Sequence, residues 1–452
     1  MADTASELKS EINLQALTEA LESGTMQHAR RILNGLHPAE IAHLLESLPP
    51  QQRNIVWQLV DSENHGEVLV EVGDEVRARL IQELDADTFS AAIKGLDMDD
   101  LADLLQDLPD AVIRQALDGM DYQYRRRLET VMSYDEDSAG GLMNTDTITV
   151  RADVTLDVVI RYLRMRGEIP ELTDSLVVVN RYDVYLGILP LTTILTQDEN
   201  MTVAKVMERD IEGIQADVSA DEVARIFEDL DLVSSPVVDG NGKLLGRITI
   251  DDVVDVIRDQ AEHSLMSMAG LDEEEDIFAP VAPSARRRAV WLGVNLLTAF
   301  IAAWAIGLFQ GAIEKIVALA VLMPIVASMG GIAGSQTLTL VIRGLALGQV
   351  GRSNARYLLS KELAVGALNG LIWALVVALI AALWFKDVQL GAIIAAAMVI
   401  NLLCASLAGV SIPLMLRRMQ IDPALAGGVI LTTVTDVVGF VAFLGLATVL
   451  LL

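Results

Sequence analysis

The chain has 452 residues, 52% of them apolar, and a formal net charge of −29. An acidic excess of this size disfavours binding to nucleic-acid phosphate or to an anionic lipid surface, both of which attract Lys and Arg. The charge is uneven: residues 1–283 hold 57 of the 62 acidic and 22 of the 33 basic side chains, a net −35, whereas residues 284–452 carry +6. The first part reads as soluble and the second as membrane-embedded.

Met1 to Ser10 is polar and acidic, without the basic and apolar regions of a cleavable signal peptide, so the soluble part is expected in the cytoplasm. Residues 1–130 read as short amphipathic helices. One unit recurs at an offset of 60 residues, Ala39 to Pro49 (AEIAHLLESLP) and Asp99 to Pro109 (DDLADLLQDLP). Leucines at helical spacing before a proline stop predict stacked helical hairpins, an all-α superhelical domain.

Residues 131–258 contain a second repeat, in which Ala152 to Val159 (ADVTLDVV) aligns with Ala216 to Val223 (ADVSADEV) at an offset of 64. Each copy has strand-like runs around a helix. In the second, Ser235 to Asp239 precedes a turn at Gly240 to Gly242, the run Leu245 to Ile250, and a helix from Asp251. This resembles a tandem pair of α/β CBS domains, which implies a regulatory module. Residues 251–285 then read as a connecting helix followed by the acidic run Asp272 to Asp276.

Residues 286–452 hold five apolar segments, near 289–310, 317–342, 362–384, 390–415 and 424–450, each long enough to cross a bilayer as a five-helix bundle. Arg286, Arg287 and Arg288 precede the first. Arg343, Arg352, Arg356 and Lys361 lie between the second and third, and Arg417 and Arg418 precede the fifth, whereas the opposite loops carry only Lys315 and Lys386. The positive-inside rule puts the soluble part in the cytoplasm and the C-terminus outside. The single cysteine, Cys404, lies in an apolar segment and reads as a packing residue.

Asp436 is a lone carboxylate in the apolar stretch Ala424 to Leu452. With a helical rise of about 1.5 Å per residue it lies roughly 18 Å along a helix from Ala424, near the midplane. Insertion there costs on the order of 2.5–3.5 kcal/mol, so the residue should face protein, water or an ion. Thr432, Thr433 and Thr435 surround it and Gly439 follows. In the second span Pro324, Gly330, Gly331 and Gly334, followed by Gln336, would loosen a helix and free carbonyls beside a wet path. The same small residues also suit close helix packing.

The chain resembles the MgtE family of magnesium channels through Pro324 to Gln336 (PIVASMGGIAGSQ), Gly409 to Leu414 (GVSIPL), Asp422 to Ala424 (DPA), Thr432 to Gly439 (TTVTDVVG) and Asp137 to Met143 (DSAGGLM). The resemblance implies a homodimer in the inner membrane whose second and fifth spans line a pore, with Asp436 of both copies holding Mg²⁺ through its water shell. Pore-lining candidates are Pro324, Gly330, Gly331, Gly334, Gln336, Thr432 and Thr433. Many members have Asn where this chain has Ile332, and Asn or Gly followed by Pro where it has Gly428 and Val429.

The resemblance further implies that cytosolic Mg²⁺, bound between the helical domain, the CBS pair and the connecting helix, clamps a closed state. The matching positions are Asp99, Asp103, Asp221, Asp231, Asp251, Asp252 and Asp255. His263 and Ser264 stand where members can have an acidic pair. Asp99 and Asp103 are one helical turn apart, and Asp252, Asp255, Asp259 and Glu262 share one face of the connecting helix. Like charges at that spacing oppose helix formation, so something should offset them if the helix is ordered; the plain alternative is a solvated acidic face.

Gly246 to Asp252, with Thr249 and Asp252 as ligands, fits the pattern by which some CBS domains hold the ribose of ATP or another adenine nucleotide. No phosphate loop of Walker type, nucleophile elbow or metal-protease histidine spacing is present, so an enzyme is not expected. Two rivals to a gated Mg²⁺ pore are a broader carrier of Co²⁺, Mn²⁺ or Ni²⁺ and a membrane-tethered nucleotide or Mg²⁺ sensor that transports nothing. Asp436 argues against the second, because an anchor has no need of a mid-membrane carboxylate.

Overall fold

The computed structural model describes residues 2–106, 108, 113, 117, 120–271, 275–351 and 353–452. Pro109 of the repeated unit, Asp272 to Glu274 of the acidic run, and Arg352 lie outside the described residues. The chain forms two compact units, residues 1–262 with 274–280, and residues 263–273 with 281–452.

The first unit opens with a 21-residue helix, Ala2–Glu22, longer than the short helices expected, and continues with short ones, among them Pro38–Glu46, Pro50–Trp57, Asp74–Gln82 and Met98–Gln106. Local chemistry starts them: His37 and Glu40 form a reciprocal capping box ahead of Pro38, and Asp121 accepts from the Gln123 and Tyr124 N–H groups at the head of Tyr122–Val131. The repeat has a packing cause. Ile41, Ala42, Leu44 and Leu45 of the first copy and Leu101, Ala102, Leu104 and Leu105 of the second are all buried in one core.

Two three-stranded sheets follow with the same topology. In the first, β1 (Thr149–Arg151) runs parallel to β2 (Ser175–Val179), which is antiparallel to β3 (Tyr185–Pro190). In the second, β4 (Ile214–Gln215) is parallel to β5 (Ser234–Val238), which is antiparallel to β6 (Leu244–Thr249). Both antiparallel pairs shift register at the same place, Val178/Val179 and Val237/Val238. The unbroken burial of Leu176 to Val179 and of Ser235 to Val238 matches strands covered on both faces. A 20-residue helix, Ile250–Ala269, leaves β6 directly.

Asp276, beyond that helix, is drawn into the first unit by a buried fork. Arg53 Nη1 and Nη2 donate to its two carboxylate oxygens at 2.7 and 3.0 Å, and Arg79 lies 3.5 Å away. Arg53 Nε is satisfied by the Leu45 carbonyl at 2.8 Å.

The second unit holds five long apolar helices, Val281–Gly307, Ala318–Ala346, Ala355–Phe385, Val388–Arg418 and Pro423–Leu451, here called spans one to five. The shortest has 27 residues, about 40 Å at 1.5 Å per residue, enough for a hydrocarbon core of roughly 30 Å. Span four is the hub: 61% of its apolar stretch is buried in the unit against 11% for span one, and it packs against spans two, three and five. Span two runs without interruption through Pro324, which corrects the expectation of a loosened helix.

Candidate ion pathway and carboxylate cluster

An open groove of about 700 Å³ runs between spans two and five. Span two contributes Ser328, Gly331, Ser335, Gln336 and Thr339 at spacings of three and four, one helical face; Ala327 and Ile332 add apolar surface. Span five contributes Thr432 and Asp436, one turn apart. Among the described residues the Asp436 carboxylate has no hydrogen-bond or ion-pair partner, and it is half-buried at the groove wall.

The threonines divide by direction. Thr432 Oγ1 donates to the Gly428 carbonyl at 2.9 Å, which spends its proton inside the helix and leaves its lone pairs toward the groove. Thr433 bonds the Val429 carbonyl at 2.8 Å and Thr435 is fully buried; neither lines the groove.

Of the residues singled out from sequence, Gly331, Gln336, Thr432 and Asp436 therefore share one surface, while Pro324, Gly330, Gly334 and Thr433 lie outside it. Gly330 and Gly334 are packing positions: a Cβ on the first would overlap Asn401 of span four, and on the second it would meet Leu431 Cδ1 at 2.9 Å. Ser328, Ser335 and Thr339 were not singled out, although their stripe through span two is legible as a polar period of three to four.

A second set of acids lies in the first unit. Asp99, Asp100 and Asp103 on Met98–Gln106 share an electrostatic neighbourhood with Asp251, Asp252 and Asp255 on Ile250–Ala269, and with Asp97, Glu71 and Glu136. Asp99 is only 6% exposed, and one oxygen each of Asp99 and Asp103 is buried with no hydrogen-bond partner among the described residues.

Burial, followed by the charge of Asp252, holds the Asp99 carboxyl well above the usual carboxylate range. Burial and the charges of Asp97 and Asp251 push Asp100 up to about 6. Burial and the charges of Glu136 and Asp100 push Asp103 up to about 8, against a smaller opposing pull from Arg77. Asp252 is raised by burial and by Asp251, although it accepts from Thr249 N–H at 3.2 Å and from Thr249 Oγ1 at 3.0 Å.

Among the described residues no three His, Cys, Asp or Glu side chains converge to form a closed cage for a metal. Asp221 and Asp231 are exposed at the two ends of helix Ala220–Leu230 and are not among the leading influences on the raised carboxyls. Asp97, Asp100, Glu71 and Glu136 went unnamed; for Asp100, adjacency to Asp99 was the available signal. Thr249, the proposed ribose ligand, is 7% exposed with its hydroxyl turned onto Asp251 and Asp252. His263 Nε2 lies 3.4 Å from Asp422, the residue that caps span five through the Ala424 and Leu425 N–H groups.

Family models match the chain in three parts. A model described as a divalent cation transporter matches residues 323–446, a model of the MgtE intracellular N domain matches 36–137, and CBS domains match 139–199 and 203–259. The magnesium transporter MgtE of Thermus thermophilus is 30% identical over 442 residues, covering 96% of this chain and 98% of that protein. The chain belongs to the MgtE family.

MgtE of Bacillus subtilis is 26% identical over 428 residues, 95% of each chain. A crystal structure of the cytosolic domain of the Mg²⁺ channel MgtE in complex with ATP is 32% identical, covering 54% of this chain and 99% of that one with a TM-score of 0.50. MgtE membership carries magnesium transport as the function of this chain, with an intracellular-type helical domain, a CBS pair and five membrane helices as its parts.

Proposed function

We propose that two copies of this chain form a Mg²⁺ pore in the inner membrane, with the first unit cytoplasmic and the C-terminus outside, and that cytosolic Mg²⁺ closes it. The observation that carries the proposal is Asp436, a partnerless carboxylate on the wall of a groove lined by hydroxyls and an amide. Mg²⁺ dehydrates reluctantly and is held by one or two carboxylates plus waters. A two-fold axis along the open side of the groove would oppose two Asp436 carboxylates, and Gln336 and Thr432 would accept from the ion's waters. His, Cys and Met are absent from the groove lining, which favours a hard cation over Co²⁺ or Ni²⁺.

Closure by internal Mg²⁺ follows from linkage. Crowded, partly unsatisfied carboxylates on Met98–Gln106 and Ile250–Ala269 repel one another, and a cation that binds them in one arrangement better than in another shifts the population by that difference and no more. The spread of the acids suits hydrated or shared ions better than a single dehydrated one. Adenine nucleotide in the CBS pair is supported by the relative bound to ATP; here a ribose at Thr249 would have to take the place of the carboxylates its hydroxyl now contacts.

The test is Mg²⁺ flux into liposomes at matched insertion. Native protein is expected to conduct, and D436A to lose flux by about two orders of magnitude, the scale seen when a preorganised electrostatic group is removed from a site. Equal flux in both would remove Asp436 from the pathway.

A further inference from the structure

Asn401 is a fully buried carboxamide in span four, inside the apolar segment Val388–Arg418, and it does not line the groove. Its Nδ2 donates to the Val326 carbonyl of span two at 2.8 Å, a contact that fixes which end of the amide is nitrogen. Two glycines, one from each of the two helices that flank the groove, make room for it. A Cβ on Gly330 of span two would overlap the carboxamide, and a Cβ on Gly439 of span five would come within 2.8 Å of Nδ2. Gly330 is the neighbour of Gly331, which lines the groove, and Gly439 is three residues beyond Asp436.

The other end of the amide has no such use in packing. Asn401 Oδ1 is buried without a hydrogen-bond partner among the described residues. An unpaired buried acceptor costs stability, which offsets part of what the Nδ2 bond to Val326 contributes. Polar side chains between membrane helices fix how closely and in what register the helices meet.

We infer that Asn401 is a positioning residue for ion passage: its carboxamide, wedged between Gly330 and Gly439, sets the separation of the two helices whose adjacent faces present Gly331 and Asp436 to the groove. Asn401 touches no transported ion. It acts through the distance between Asp436 and the span-two wall, which decides how much water shell a cation keeps beside the carboxylate. Ca²⁺, larger and more readily dehydrated than Mg²⁺, should respond differently to a change in that distance. The inference rests on the proposed pathway through Asp436.

The test is the Mg²⁺-to-Ca²⁺ flux ratio and the half-saturating Mg²⁺ concentration in liposomes at matched insertion, for native protein, N401L, N401S, G439A and D436A. N401L and G439A are expected to conduct with one of these two quantities altered about tenfold, and N401L/G439A to go no further than the larger single change, as for groups acting as one unit. Folded variants that lower only the amount of active protein, with native ratio and half-saturation, would overturn the inference and leave Asn401 a packing residue. Should N401L fail to insert, N401S and G439A decide by the same criterion. If D436A conducts like native protein, the pathway and the positioning role fall together; if D436A is silent while the other variants keep native values, only the role of Asn401 falls.

Discussion

Asp436 and the Asp99 to Asp103 group are both carboxylates short of partners, yet their surroundings differ in every other respect. Asp436 stands alone on the wall of an open groove, with hydroxyl and amide neighbours. Of the acids of the first unit Asp99 is buried and Asp100 and Asp103 are half-buried, and burial together with neighbouring carboxylates raises the pKa of all three. An isolated, accessible carboxylate can attract a hydrated ion and release it, which conduction needs. A crowded set of carboxylates can bind a cation in exchange for relief of its own repulsion, which would suit a sensor. On the proposed reading the same functional group would serve passage in one unit and retention in the other.

Asp276 calibrates this comparison, because it is equally buried but fully partnered. Burial works to raise its pKa, and the hydrogen bonds from Arg53 and the Phe278 N–H, with the charges of Arg53 and Arg79, reverse that and hold it below the usual range. Removing one member of such a pair leaves an uncompensated buried charge and costs about 3–5 kcal/mol. D276A, which strands Arg53, is expected to lower the unfolding free energy of the first unit by that amount, read as a drop in denaturant midpoint for the full-length protein in detergent. A change near zero would mean that the fork is not made in solution.

The crowded acids should give the opposite sign in pH. The folded pKa values of Asp99, Asp100, Asp103 and Asp252 lie above the unfolded carboxylate value, so for these groups the native state binds more protons than the unfolded state. Without divalent cations, the first unit should lose stability as pH rises from about 4 to 8, by up to about 1.4 kcal/mol per pH unit for each group traversed. Added Mg²⁺ should restore stability at pH 8 and do little at pH 5, where protons already occupy the carboxylates. Hydrogen exchange of peptides covering residues 98–106 and 250–262 measures this directly. Stability rising with pH in the absence of divalents would refute the burial argument for Asp100 and Asp103.

Neutralising part of the set should be milder. D99N/D103N removes two acids while others remain, and the internal Mg²⁺ needed for half-inhibition of flux is expected to rise about tenfold, with maximal flux unchanged. An unchanged inhibition curve would take these residues out of the sensor.

Much of this architecture was legible in the sequence, and the failures have physical causes. Five apolar runs announce the five long helices, and the solitary Asp436 stands out because the energetic cost of a midplane charge is large; the structure sets it in the wall of a groove. The repeats at offsets 60 and 64 announce duplicated packing units, and both sheets share a register shift. Glycine carries no such signal: it serves equally to line a groove or to admit a neighbour, and only the structure separates Gly331 from Gly330 and Gly334. Asp276 and Arg53 are 223 residues apart, and no local pattern links them. Asp221 and Asp231 rest on the family resemblance, which carries no side-chain placement, and the structure leaves both exposed.

Thr432 and Thr433 supply the finest test of the contrast between groove and packing. They are adjacent, chemically identical, and each donates its hydroxyl proton to the carbonyl four residues back, so replacement by Val removes an equivalent hydrogen bond in both. Such back-bonding adds little to helix stability, and each substitution should change folding by less than about 1 kcal/mol. What differs is the direction of the remaining lone pairs: those of Thr432 face the groove and those of Thr433 do not. If a hydrated ion passes Asp436 with its waters donating to groove oxygens, T432V should lower Mg²⁺ flux about twofold to threefold, the loss of one weak water-mediated contact. T433V should leave flux at the native level. Equal effects from both would mean that the threonines act through helix packing, and the wall beside Asp436 would then owe its polarity to span two alone.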